Sequence, residues 1–394
     1  MEAMTRKLMI VAGEDSGDAH AAKLVAALRE AEPERCHEFF GAAGPKMREV
    51  GVEAIVRSDG LSIVGLAEIG RSLPMFLRAS KDLKKAAATR RPDAVILVDF
   101  PDFNLKLAKA LKKLGLAIIY YISPQLWAWR RYRLSTVKKY VDLMITILPF
   151  EKDWYAEHGV THVEYVGSPL AREVHATRSR EEFCGDHGLD PSRPVISMLP
   201  GSRHKEIVRI LPVMLRSAVK VAAEKPDIQV VIAMASNRHD QEVEYAMQTF
   251  REERMTLPLS IKVVENETYD AVNAADAVAV TSGTATLETG IIGTPMAIVY
   301  KTSAINYSLL EPLISVPHYG LINLIAGERV AKELIQKDFS EDTLASELLL
   351  LLQPNENAIV REKLRVATEK LGHGGASRRA AEVILRAIET RSAH

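Results

Sequence analysis

Apolar residues in this chain come in short runs of four to eight, separated by longer stretches in which they recur every three or four positions. The first pattern is that of a strand buried on both faces, the second that of an amphipathic helix. Runs at 7–12, 36–40, 52–56, 93–98, 116–122, 142–147 and 162–166 predict a first series of strands. Runs at 194–199, 228–234, 260–264, 276–281 and 295–300 predict a second. Between them 19–31, 102–114, 205–224 and 284–292 read as helices. Strands alternating with helices mean an α/β protein with parallel sheets covered on both faces. The series pauses over the charged segment 172–193, so we expect two doubly wound, Rossmann-like domains, 1–170 and 171–360. A last stretch, 356–390, is helical in pattern, basic on one face, and broken by Gly372, Gly374 and Gly375.

Composition narrows the picture only a little. A length of 394 residues is more than one hydrophobic core usually serves. Lys+Arg and Asp+Glu both number 51, so no bulk charge argues for nucleic acid. Cys36 and Cys184 are too far apart for a zinc motif or a disulfide framework, which suits a reducing compartment. The apolar run Leu8–Val11 meets Glu14, Asp15 and Asp18 too soon for a signal peptide, and nothing approaches the roughly 20 apolar residues of a spanning helix. Any membrane contact is therefore expected to be peripheral. One segment, 61–78, sets Ile63, Val64, Leu66, Leu73, Met75 and Phe76 beside Arg71, Arg78, Lys81, Lys84 and Lys85. That mixture suits either a grip on anionic lipid or a buried helix edge.

In doubly wound sheets ligands sit beyond the carboxyl ends of the strands, so the residues after each run carry the candidate chemistry. Asp276–Val280 leads into Thr281-Ser282-Gly283-Thr284-Ala285-Thr286-Leu287-Glu288. A Gly at a strand-to-helix corner lets backbone approach a ligand, and the free N–H groups of the new helix attract an anion. Glu288 lies one turn beyond Thr284 on the same face, placed to accept from a ribose; otherwise Thr284 is a plain cap and Glu288 is solvated. Pro200-Gly201-Ser202-Arg203 repeats the arrangement and adds a guanidinium able to bind a diphosphate bidentately. The loop Gly13-Glu14-Asp15-Ser16-Gly17-Asp18-Ala19-His20 has too many acids for a pyrophosphate and suits a sugar, unless Ser16 or Asp18 merely caps a helix. Asp99, ending a buried run and followed by Phe100-Pro101, is held where a carboxyl pKa rises and general-base work becomes feasible; its alternative is a cap before Pro101. Trp127 and Trp129 cannot share a helix face, so Ser123-Pro124-Gln125-Leu126-Trp127-Ala128-Trp129-Arg130 reads as a sugar or lipid wall or as core packing. Asn323 and Gln336 place amides in two short later segments.

Taken together, in order and spacing, Gly13–Asp18, Asp99–Asn104, Pro124–Trp129, Leu199–Arg203, Ser282–Glu288 and Asn323–Gly327 resemble the bacterial lipid-A-disaccharide synthase family, over about residues 7–385. The chain departs from the family pattern at Gly320–Asn323, where a Pro often precedes the Asn. The resemblance implies a metal-free, cofactor-free inverting glycosyltransferase of the GT-B type, with two Rossmann-like domains facing across a cleft. The implied donor is UDP-2,3-diacylglucosamine and the acceptor 2,3-diacylglucosamine 1-phosphate. The implied place is the cytoplasmic face of the inner membrane, with 61–78 against lipid. It also implies that the final segment, 361–394, packs back on the N-terminal domain, and that dimers with exchanged C-terminal parts can form. Asp99 matches the family's base, with His20 a second candidate on its chemistry alone. Ser202, Arg203, Gly283, Thr284, Thr286, Glu288, Asn323 and Gln336 fall to UDP. Glu14, Ser16, His20 and Gln125 fall to the sugar or acceptor. The rival readings are another UDP-sugar enzyme of this fold (a 2-epimerase or the peptidoglycan N-acetylglucosaminyltransferase) or a nucleotide-binding module without chemistry.

Overall fold

Each of the expected apolar runs forms a strand, with its ends displaced by at most three residues. The structure is a computed structural model and describes residues 5–59, 69–235, 240–252, 260–303, 307 and 316–392. By its internal contacts the chain divides into two units: residues 1–169 with 374–394, and 170–373.

In the first unit β1 (Arg6–Ala12), β2 (His37–Ala43), β3 (Glu53–Arg57), β4 (Ala94–Val98), β5 (Ile118–Tyr121), β6 (Leu143–Thr146) and β7 (Val163–Tyr165) pair in parallel in the order β3-β2-β1-β4-β5-β6-β7. Successive residues of β1 enter different cores. Leu8, Ile10 and Ala12 join one apolar cluster, Met9 and Val11 the other, so a run that is apolar at every position is the signature of a sheet covered twice. Helix Ala376–Ser392 belongs to this unit. Its Ala376, Ala380, Ala381, Ile384, Leu385 and Ile388, spaced along one helical face, are buried with Leu24 and Leu28 of helix Asp15–Ala31. The chain returns to the first unit at Gly374 rather than at 361, because helix Pro354–Glu369 packs within the second.

The second unit holds β8 (Val195–Leu199), β9 (Gln229–Met234), β10 (Ser260–Glu265), β11 (Ala277–Thr281), β12 (Met296–Tyr300) and β13 (Lys332–Ile335), parallel in the order β10-β9-β8-β11-β12-β13. β13 has no counterpart among the expected strands. It is a four-residue edge strand, Lys-Glu-Leu-Ile, with no continuous apolar run to announce it. In each sheet the winding reverses beside the first strand of the unit, between β1 and β4 and between β8 and β11. The crevices beyond the carboxyl ends of those pairs are where this architecture receives ligands.

Candidate functional site

The first unit brings the turns after β1 and β4 together. A Cβ on Gly13 would lie 2.2 Å from the Phe100 ring, so only the bare backbone of the first turn lets the second close on it. Asp99 and Phe100 are both left-handed, with φ of 46° and 50°, costly for residues with side chains. The strained carbonyl of Asp99 is held by two donors, the Tyr120 hydroxyl at 2.6 Å and the Asn104 side-chain amide at 2.8 Å. Phe100, not Asp99, occupies the N-cap of helix Pro101–Lys112, which frees the Asp99 carboxylate from capping. Burial, then the charge of Glu14, pushes the Asp99 carboxyl up to about 6, against the Phe100 N–H, which works the other way. Glu14 is itself raised, by loss of water and by Asp15. Two carboxyls whose charges oppose each other at a switch point are what a proton acceptor near neutrality requires.

The rest of the first loop divides between structure and surface. Asp18 is buried, and its carboxylate accepts from the backbone of Gly44 at 2.8 Å, Lys46 at 2.8 Å and Met47 at 3.3 Å, capping helix Pro45–Glu49 from across the fold. Ser16 is exposed in the first turn of helix Asp15–Ala31, and His20 lies half-buried one turn later. After β5, Gln125 is exposed while Trp127 is buried, its indole donating to Glu151 at 3.0 Å with the ring edge-on to Phe150. Trp129 turns outward with Arg130 stacked 4.0 Å over its ring. Asp102, in the first turn of helix Pro101–Lys112, pairs with Arg130 and Arg133. Of the proposed lipid-facing residues, Ile63, Val64 and Leu66 lie outside the described residues, and Leu73 is described in its backbone only. Met75 is exposed on helix Ile69–Arg90, while Phe76 packs inward between Phe100 and Phe103.

In the second unit a cavity of about 630 Å³ opens beyond β8 and β11. It is lined by Gly201, Ser202, Arg203 and Glu206 from one turn, Ser282, Gly283, Thr284 and Glu288 from the other, and Asn266, Thr268 and Tyr269 after β10. Gly283 caps helix Thr284–Ile292 at φ 155°, ψ −161°, a conformation open only to glycine, and Thr284 and Ala285, the first residues of that helix, line the cavity. Glu288 is half-buried rather than solvated. Burial raises its pKa, and its carboxylate accepts from the Tyr269 hydroxyl at 3.0 Å. The Arg203 side chain is 80% exposed, reaching from the N-cap of helix His204–Glu224. Among the described residues no group of three or more His, Cys, Asp or Glu stands where it could hold a metal ion.

Three residues expected at the nucleotide lie elsewhere. Asn323 is fully buried: its amide donates to Ala331 and Glu333 and its oxygen accepts from Val330 and Ala331, which exhausts its capacity. Thr286 is also fully buried, donating to the Gly283 carbonyl and accepting from Leu321 N–H. Both build the corner rather than face a ligand. Gln336, left-handed at the end of β13, lines a separate cavity of about 1100 Å³ with Lys301 and Thr302. Conversely, Asn266 and Tyr269 were missed, although they follow a strand at its carboxyl end, where the same rule would have pointed.

A putative UDP-N-acetylglucosamine 2-epimerase from Listeria monocytogenes superposes with a TM-score of 0.66 over 98% of this chain and 97% of that one, at 17% identity. A UDP co-structure of S. aureus MnaA gives 0.63 over 96% of each, at 14% identity. At such identities the likeness shows fold alone: this is a two-domain α/β protein of the GT-B type. The family is shown by sequence. The family model described as lipid-A-disaccharide synthetase matches residues 8–388. The lipid-A-disaccharide synthase of Trichlorobacter lovleyi is 41% identical over 98% of both chains, and that of Myxococcus xanthus 42% over 96% of this chain and 97% of its own. The chain belongs to the lipid-A-disaccharide synthase family.

Proposed function

We propose that this protein joins UDP-2,3-diacylglucosamine to 2,3-diacylglucosamine 1-phosphate, giving the β-1′,6-linked disaccharide 1-phosphate and UDP with inversion. The observation that carries the mechanism is Asp99, a carboxyl pushed up to about 6 at the switch point of the first sheet. Near pH 7 it is mostly ionised yet still basic enough to accept a proton. It takes the proton of the acceptor 6-hydroxyl as that oxygen bonds to the anomeric carbon. The bond from that carbon to the UDP oxygen breaks on the opposite face, and its electron pair leaves with the diphosphate. Arg203 and the first N–H groups of helix Thr284–Ile292 receive that charge, and Glu288 holds the ribose. Glu14 and Gln125, both exposed beside strand ends of the first sheet, orient the sugar.

The enzyme works peripherally on the cytoplasmic face of the inner membrane. Among the described residues no helix is long and apolar enough to cross one. Helix Ile69–Arg90 buries Ala79, Leu83 and Ala87 and exposes Met75, Leu77, Arg78, Lys81, Lys84 and Lys85, a face suited to anionic lipid.

The test is a transferase assay with the two lipid substrates in EDTA, beside Asp99→Asn. Wild type should release UDP and disaccharide, while the variant should bind UDP equally and lose about a thousandfold in kcat. UDP binding without product from wild type would leave a nucleotide-binding module; full activity in the variant would move the base elsewhere.

A further inference from the structure

The diphosphate-binding turn already contains a negative charge. Glu206, in the first turn of helix His204–Glu224, places one carboxylate oxygen 2.9 Å from the Arg203 guanidinium and accepts from the Ser202 N–H with the other at 3.3 Å. The turn is shaped around this carboxylate. Gly201 stands at φ 109°, and a Cβ there would lie 2.6 Å from Glu206 Oε2 and 2.9 Å from Glu206 Cβ. Glu206 lines the same cavity as Gly283, Thr284 and Glu288, and its side chain is only 13% exposed. The two donors that a leaving diphosphate needs on this side of the cavity are thus the two that Glu206 holds.

We infer that Glu206 is the resting counter-charge of the anion site: a carboxylate that occupies the Ser202–Arg203 donors when the nucleotide is absent and yields them when the diphosphate arrives. This rests on reading the cavity as the UDP site and adds what governs entry and exit there. A guanidinium and a backbone N–H lining that cavity attract a diphosphate, and a carboxylate held against both opposes it. With Glu206 beside them, an arriving diphosphate competes with an anion already in contact. Affinity for the nucleotide is lowered, and the departing UDP is replaced at Arg203 by a group already in contact. A carboxylate next to a bound diphosphate also repels it directly, so both consequences have the same sign.

Neutralising this charge should therefore tighten the nucleotide specifically through its phosphates. The experiment measures equilibrium binding of UDP and of uridine to wild type, Glu206→Gln and Glu206→Ala, with the UDP dissociation rate followed by stopped flow. The Gln variant keeps the length and an acceptor for the Ser202 N–H; the Ala variant removes both. The expected result is UDP binding about tenfold tighter in each variant, with slower release, and uridine affinity unchanged. The ratio of UDP to uridine affinity is the deciding quantity, since loss of folded protein lowers both ligands together. A ratio unchanged or lower than wild type in either folded variant overturns the inference and makes Glu206 a residue that positions Arg203 for the phosphates. Failure of wild type to bind UDP at all is a different result, and overturns the reading of the cavity itself.

Discussion

At the scale of single residues the chemistry depends on what surrounds a carboxyl. Asp99 could be singled out in the chain because an acid ending an apolar run and followed by Pro101 has nowhere to go but the rim of a sheet. Its coupling to Glu14 could not, since 85 positions separate them and only the pairing of β1 with β4 brings their turns together. The rate kcat/KM should rise with pH through about 6, because the base must be ionised, and Glu14→Gln should move that midpoint down by removing a like charge. An unmoved midpoint in the variant would show that the profile reports another group. Stability runs the opposite way. A carboxyl raised by burial favours the folded state while protonated, so its contribution is complete below about pH 4 and is lost as pH climbs through about 6. Asp99→Asn should consequently be more stable than wild type at pH 7, by on the order of 1–3 kcal/mol in urea unfolding. Asn323 and Thr286 show the converse limit. A buried, saturated amide and a ligand-binding amide are the same letter, and only the four bonds of Asn323 separate them.

At the scale of elements the turn after β5 is the instructive case. Trp127 is buried and Trp129 exposed, and what holds the turn is Glu151, an acid with no motif around it in the chain. Glu151 is 1% exposed and opens helix Glu151–Glu157. It accepts from the Trp127 indole at 3.0 Å and from the N–H groups of Leu148 at 3.0 Å and Ile147 at 3.3 Å. Burial pushes it up to about 7 in spite of those donors. In the chain it is one more acid at the start of a helix; in the fold it fastens two loops. Glu151→Gln must turn an amide N–H toward one of those donors. Compared at pH 5, where burial keeps Glu151 protonated and both side chains are uncharged, the first unit should lose about 1–3 kcal/mol in urea. An unchanged midpoint would mean that the carboxyl does not bridge the loops.

At the scale of the whole molecule, each unit repeats one device: a parallel sheet whose winding reverses beside its first strand, with candidate turns on either side of the reversal. Glu14 and Asp99 flank the reversal of the first sheet; Arg203 and Glu288 flank that of the second. The final helix completes the first unit rather than the second, filling the cluster of Leu8, Ile10 and Leu24 with residues more than 350 positions away. Deleting 374–394 should therefore cost well over about 5 kcal/mol of buried apolar surface and leave the first unit unfolded or aggregated. Limited proteolysis and circular dichroism of the shortened chain would reveal it; an intact, soluble first unit would show that the helix is dispensable.

The sequence by itself determined every strand but β13, their alternation with helices, the pause between domains and most of the turns where chemistry gathers. These follow from local periodicity, from glycine and proline at corners, and from the rule that buried parallel strands are apolar throughout. Tertiary structure alone decided which polar groups turn inward, which acids share a field, and where the last helix docks. Those outcomes depend on contacts between residues far apart in the chain, and burial and electrostatic shifts exist only once such contacts have formed.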